Sequence, residues 1–281
     1  MTSQNVLPNK KTWKDLGIRF VSAVVLVLVC MAPFYFGGWA WAVLAGLFSI
    51  RMSYEWVRMS DFEATKLAYA LPVFGIVFSI LYAVQGLWTY AFIICFLTAT
   101  LAIFERLRRE GNGKGFWSAF GVLYILIPCL TIIGLRGNEI GFNTDGFKTL
   151  IFIILVVIAA DVGAYFGGSY FKGPKLSPKL SPNKTWSGFL SGLLLAVLIG
   201  GIATFFIEDS FVHGALIAVP IIIMSVAGDL FESGLKRKLK IKDTGELIPG
   251  HGGLLDRLDS LMAASVGFAL LIIIFPFLWP L

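Results

Sequence analysis

The sequence predicts an all-α polytopic integral membrane protein of about nine transmembrane helices, with its N-terminus in the cytoplasm and its C-terminus outside. Three observations predict it. Of 281 residues, 57% are hydrophobic and only 14% charged, and the mean hydropathy is +0.83, a balance that few soluble folds show. The apolar residues gather in runs of about 20, the length that crosses a bilayer as a helix. Nine such runs lie at roughly 18–36, 39–57, 67–84, 87–104, 116–135, 149–171, 187–207, 214–235 and 260–279. Threaded with the N-terminus inside, they place 20 of the 23 Lys and Arg on the cytoplasmic side, leaving only Arg136 and Lys148 outside and Arg51 within a span. Basic residues collect in cytoplasmic loops, and one wrong span would scramble the alternation.

The first span has basic flanks like a signal sequence, but it is long and lacks a small-x-small cleavage site, so it reads as a retained anchor. In the second, Arg51 and Glu55 stand four apart and can pair on one helix face, most simply as a structural pair. Spans three to five hold almost no interior polar groups. Cys30, Cys95 and Cys129 each sit in an apolar run in no metal or redox spacing, which reads as packing. With no interspan stretch longer than about 25 residues and no 20- to 50-residue period, neither a soluble domain nor a repeat architecture is expected. The chain divides by chemistry: residues 1–148 as a transmembrane scaffold or subunit interface, and 149–281 as the region that carries the reactive side chains.

Span six contains Asp161 just before a run of small residues, Gly163, Ala164, Gly167 and Gly168. The glycines allow close helix approach. The carboxylate is either a functional group or a buried hydrogen-bond partner, since an acid at membrane depth is costly without one of these roles. The loop after it, Lys172 to Trp186, carries four lysines, three prolines and no acid. Positive-inside charge explains the lysines but not the cluster Ser181, Pro182, Asn183, Lys184, Thr185 abutting span seven. Its hydroxyls, its ammonium and the N–H groups of a helix start suit phosphate oxygens.

Span eight ends with Asp229, Glu232, Ser233, Lys236 and Arg237 at i, i+3, i+4, i+7 and i+8, one helical face that runs from acids at depth to bases at the surface. Beyond it come Lys242 and Asp243, then His251, Gly252 and Gly253, then Asp256, Arg257 and Asp259 opening span nine. Acid pairs on two facing helices form a hard-oxygen site suited to Mg²⁺, which shares its remaining positions with water and phosphate. The glycines let backbone N–H groups approach an anion. His251 either packs the loop or touches phosphate; with one other histidine and no nearby cysteine, a zinc site is not expected. No Walker A or Gly-x-Gly-x-x-Gly motif is present, so any nucleotide is bound on membrane helices. No nucleic-acid partner is expected.

The run from Ser233 through Lys236, Arg237, Lys242, Asp243, His251, Gly252, Gly253, Asp256 and Arg257 to Asp259 resembles the signature of the phosphatidate cytidylyltransferases, also called CDP-diacylglycerol synthases. The similarity continues upstream through Gly228, Asp229 and Glu232, the Ser181 to Trp186 stretch, and Asp161 to Phe166. It thus covers roughly residues 150–281. The resemblance implies that phosphatidate and CTP give CDP-diacylglycerol and pyrophosphate, with Mg²⁺ as cofactor and a second cation left open. It implies Asp229 and Asp256 as first-choice metal ligands, then Asp259 and Glu232, with Asp161 and Asp243 after them. Lys236, Arg237, Lys242 and Arg257 would meet the phosphates. Ser181, Lys184 and Thr185 would close the site from the other loop, with Lys175, Ser233, Gly252 and Gly253 also against substrate. The short form implies a bacterial inner membrane with the site facing the cytoplasm, membrane lipid at the protein's flank, and a homodimer. Alternatives are an organic-anion transporter, which would want polar groups at mid-bilayer in both halves, another CTP-dependent lipid phosphotransferase, and a scaffold protein.

Overall fold

The computed structural model describes residues 27–111, 115–208, 210–241, 243–245 and 252–279. Among them are nine α-helices: α1 (Val27–Phe36), α2 (Gly38–Ser60), α3 (Lys66–Val84), α4 (Trp88–Glu110), α5 (Gly115–Arg136), α6 (Asp145–Phe171), α7 (Trp186–Glu208), α8 (Phe211–Lys238) and α9 (Leu255–Ile274). A two-stranded antiparallel hairpin, β1 (Lys175–Ser177) and β2 (Ser181–Thr185), separates α6 from α7. The apolar runs become helices because only a helix satisfies every backbone polar group within its own segment in lipid. Helices α3 and α6 each start on a hydroxyl cap: Thr65 accepts from Ala68 N and Thr144 from Phe147 N, each at 3.2 Å.

Each expected span has a helix at its position, but seven of them, α3 to α9, are long and apolar enough to cross a membrane. The described part of α1 is too short, and in α2 the charges of Arg51 and Glu55 lower an otherwise apolar segment. Boundaries also move. Helix α9 begins at Leu255 rather than near 260, so Asp256, Arg257 and Asp259 all stand on its first turn or two. It ends at Ile274, before Pro276, which cannot continue the ladder. The basic loop is partly a hairpin: Lys175 lies on β1 and Ser181, Lys184 and Thr185 on β2.

Three cores hold the bundle. One packs α6 to α9 around Phe152, Ile153, Val156, Ile221 and Phe268. A second packs α2 to α5 around Ile76, Cys95, Val122 and Leu126. The third joins the halves, with Met52, Trp56 and Met59 of α2 and Ile125 of α5 against Leu254, Leu255 and Met262. Helices α6 and α7 approach so closely that a Cβ on Gly163 would stand 2.8 Å from the Ser191 carbonyl and one on Gly192 2.6 Å from that of Ala160, the contact that small residues permit. Large apolar side chains such as Phe206, Leu194 and Ile273 are exposed, as lipid-facing positions are.

Charged groups pin the corners. At one end of the bundle, Asp61 after α2 pairs with Arg109 of α4. Burial pushes the Asp61 carboxyl up, but the Arg109 hydrogen bond and the charges of Arg106 and Arg109 outweigh it and hold it below the usual carboxylate range. At the other end, the fully buried Arg136 donates to the carbonyls of Phe34 at 2.6 Å, Tyr35 at 2.9 Å and Glu139 at 2.9 Å. It thereby serves the C-terminal carbonyls of α1 that no helix N–H can reach. Arg136→Met should strand the Phe34 and Glu139 carbonyls, while that of Tyr35 keeps Gly141 N at 3.0 Å, and cost on the order of 3 kcal/mol. A thermal melt in detergent checks this, and an unchanged midpoint would show that the carbonyls find other partners.

Candidate active site

The polar stripe on α8 keeps its acids deep because each meets a cation or a hydroxyl. Ser233 Oγ donates to Asp229 Oδ1 at 3.4 Å, and Lys184 from β2 forms an ion pair with the other Asp229 oxygen. One turn on, Glu232 is fully buried, and Lys236 stands 3.3 Å from its Oε1. The same ammonium donates to Asp256 Oδ1 at 2.7 Å, so a single lysine links α8 to α9. Asp259, 6% exposed, lies within electrostatic reach of both Asp229 and Glu232. Asp161 on α6 is within reach of Asp229, Lys184 and Arg257. Five carboxylates from three helices therefore surround the C-terminal end of α8 and the start of α9, with Lys184, Lys236 and Arg257 interleaved.

Asp256 behaves differently from the others. Its Oδ1 takes the Lys236 ammonium, and its Oδ2 accepts from Thr244 N at 2.9 Å, Thr244 Oγ1 at 2.9 Å and Gly253 N at 3.0 Å. Gly252 supplies the turn with φ +84°, a conformation that favours glycine, and a Cβ there would stand 3.1 Å from Asp256 Oδ2. In the structure an ammonium stands at each of the two acids expected to share a cation, Lys184 at Asp229 and Lys236 at Asp256.

Oxygen-only ligands suit a hard cation. Among the described residues no three His, Cys, Asp or Glu side chains form a ready-made metal set. The buried Glu232 nonetheless has only the Lys236 ammonium 3.3 Å from its Oε1 and no donor on its Oε2 among them, an unusual condition for a buried carboxylate. Asp229, Glu232 and Asp259 therefore fit a cation that keeps waters and phosphate in its remaining positions. Asp256, whose oxygens already accept four hydrogen bonds, fits one poorly.

Beside the cluster lies a cavity of about 480 Å³. Asp161, Asn183, Lys184 and Thr185 are among its polar lining residues, and Tyr165, Phe189, Ile222 and Val226 among its apolar ones. An amphipathic molecule matches that mixture. Thr185 is committed locally, since its Oγ1 accepts from Gly188 N at 3.1 Å and caps α7. Lys175, Arg237, Asp243 and Arg257 are exposed and Ser181 is half-buried. Lys242 and His251 lie outside the described residues.

Sequence reasoning passed over Glu55 of α2 and Thr244 as members of the site. Arg51 and Glu55 do pair, at 3.2 Å, but Glu55 also accepts from the backbone of Leu254 and Leu255 at the start of α9. An acid inside an apolar span was the available signal.

Comparison with known proteins gives a consistent result. A model described as the cytidylyltransferase family matches residues 17–275. A phosphatidate cytidylyltransferase of Brucella suis is 34% identical over 254 residues, spanning 89% of this chain and 91% of that protein. Proteins of the same name from Haemophilus influenzae and Pseudomonas aeruginosa are 30% and 32% identical, spanning 90% of this chain and 95% and 96% of theirs.

Proposed function

The chain belongs to the cytidylyltransferase family, and from that premise we propose how it acts as a phosphatidate cytidylyltransferase: it transfers the cytidylyl group of CTP to phosphatidate, giving CDP-diacylglycerol and pyrophosphate. The observation that carries the reading is the gathering of Lys184, Lys236, Arg257 and five carboxylates beside a cavity lined by both polar and apolar side chains. The relatives cited above carry only the cytidylyltransferase name, and no observation favours transport or another lipid phosphotransfer.

A phosphatidate oxygen attacks the α-phosphorus of CTP in line. The new P–O bond forms as the bond to the β-phosphate oxygen breaks, and pyrophosphate leaves with that electron pair. A phosphate monoester is already an anionic nucleophile, so the residues need to position two polyanions and offset their charge rather than remove a proton. Lys184, on a strand that borders the cavity, is placed to meet a phosphate. Its partner Asp229 would then be free for a cation. Lys236 and Arg257 add positive charge from α8 and α9, while Tyr165, Phe189, Ile222 and Val226 offer apolar surface to an acyl chain. Asp229, Glu232 and Asp259 would hold Mg²⁺, with Asp161 beside them; bound there, the ion would supply charge neutralisation on the phosphoryl oxygens. Arg237, Lys242 and His251 are phosphate-side residues on the strength of the signature alone, Asp243 is a further candidate for the cation, and Lys175 of the basic loop is a candidate for substrate.

The chain is an integral membrane protein. Nine crossings, with the N-terminus inside and the active site facing the cytoplasm of a bacterial inner membrane, are supported by the distribution of Lys and Arg. A homodimer is supported by the apolar N-terminal half.

The test is conversion of radiolabelled CTP and phosphatidate into a lipid-soluble cytidine product by purified protein. Excess EDTA should abolish the product and added Mg²⁺ restore it. Full activity in EDTA would remove the cation from the mechanism, and no product in Mg²⁺ would remove the reaction.

A further inference from the structure

The group that ties the signature to the rest of the molecule lies outside it. Glu55 is 1% exposed in α2, and its carboxylate accepts from Leu254 N at 3.1 Å and Leu255 N at 2.9 Å, about two hundred positions along the chain. Leu254 is the N-cap residue of α9 and Leu255 its first. N–H groups at a helix start have no carbonyl of their own helix to meet. Glu55 therefore caps α9 from another helix, and its negative charge is favourable at that end of the helix dipole. Arg51 offsets the charge at 3.2 Å.

Thr244 connects this cap to the acid cluster. Its hydroxyl donates to Asp256 Oδ2 at 2.9 Å and stands 3.4 Å from Glu55 Oε2. The backbone has been cleared to allow the contact: a Cβ on Gly253 would lie 2.7 Å from Glu55 Oε2 and 2.1 Å from Thr244 Oγ1, and one on Gly245 3.0 Å from Glu55 Oε1. Gly253 brings its amide to the Asp256 carboxylate at 3.0 Å and lies against the buried Glu55. The links run unbroken from Glu55 through Thr244 and Asp256 to Lys236 and Glu232.

The geometry points to Glu55 as a positioning residue for cytidylyl transfer: from the N-terminal half it fixes Thr244 and the start of α9, and through them the orientation of Asp256 and Lys236. This rests on the activity argued above. It also gives the N-terminal half a part in the reaction beyond scaffolding.

Full-length Glu55→Gln, Glu55→Asp, Thr244→Val and the Glu55→Gln/Thr244→Val pair decide it. The Gln amide keeps the size but turns a donor toward the α9 amides. Its kcat should fall at least about tenfold, with amide hydrogens of residues 244 and 253–255 exchanging at least about tenfold faster and α3 and α4 unchanged. Glu55→Asp should lie between Gln and wild type. The double variant should fall no further than the worse single, since both cut the same chain. Wild-type kcat and KM in Glu55→Gln, or loss of protection spread evenly over α2 to α5, would overturn the inference in favour of plain packing. Wild-type protein that makes no cytidine lipid would instead sink the activity; the exchange measurement still decides the cap, and unchanged exchange at 253–255 overturns it whatever the substrate.

Discussion

Asp229→Asn should lower turnover of CTP into lipid-linked cytidine by roughly a thousandfold or more, while leaving the protein folded. The substitution keeps the shape and the acceptor that Ser233 uses. It removes the negative charge that pairs with Lys184 and that a cation would need at the centre of the acid cluster. Electrostatic groups aimed at a transferring phosphoryl group are each worth two to three powers of ten, and a metal that depends on them adds to that. Stability should change little, because the Asp229 and Lys184 side chains are each more than a quarter exposed, 29% and 28%, and a pair so open to solvent contributes little. Turnover at saturating CTP and phosphatidate, set beside a melting curve, checks both halves. A variant that keeps more than a tenth of the wild-type rate would take Asp229 out of the site. Raising Mg²⁺ should recover part of the lost rate if Glu232 and Asp259 still offer two oxygens.

That expectation could be framed from the sequence because the stripe on α8 is a local pattern. Residues three, four, seven and eight apart share a face in any helix, so Asp229, Glu232, Ser233, Lys236 and Arg237 needed no coordinates to be grouped. The Arg51–Glu55 pair was legible for the same reason, as were the positions of the helices, which follow from runs of apolar residues. What sequence cannot show is which charge answers which across elements. Lys184 was expected to face phosphate, and its partner Asp229 lies on another element, 45 residues further along the chain. Thr244 sits inside the signature, yet its use depends on a carboxylate from α2. The hairpin escaped notice because three- and five-residue strands rich in Lys, Ser and Pro carry no hydrophobic alternation. Asp256 was ranked as a metal ligand on motif alone, and the three hydrogen bonds it takes from Thr244 and Gly253 depend on how the chain turns at Gly252.

Asp256→Asn therefore separates two roles that the motif merges. A carboxylate offers two acceptor oxygens, and this one uses both, Oδ1 for Lys236 and Oδ2 for Thr244 and Gly253. Asparagine offers one. Whichever way its amide turns, an NH₂ faces either the Lys236 ammonium or the Thr244 and Gly253 donors, and one set is left unpaired. With Lys236 and Asp256 side chains only 14% and 9% exposed, breaking the pair should cost roughly 3 kcal/mol. Rate should fall at least about a hundredfold, because Lys236 also stands beside Glu232 and loses its fixed place. The expected signature is the joint loss of turnover, melting temperature and amide protection near residues 244 and 253–255, in contrast to Asp229→Asn, which loses turnover alone. Rate lost with stability and protection intact would mean that Asp256 acts on the cation or substrate directly, and the clamp would then be secondary. The contrast between the two variants turns on a difference in hydrogen bonding: Asp229 meets one hydroxyl and one ammonium that a substrate phosphate can draw away, whereas Asp256 is spent on Lys236 of α8 and on donors of its own loop.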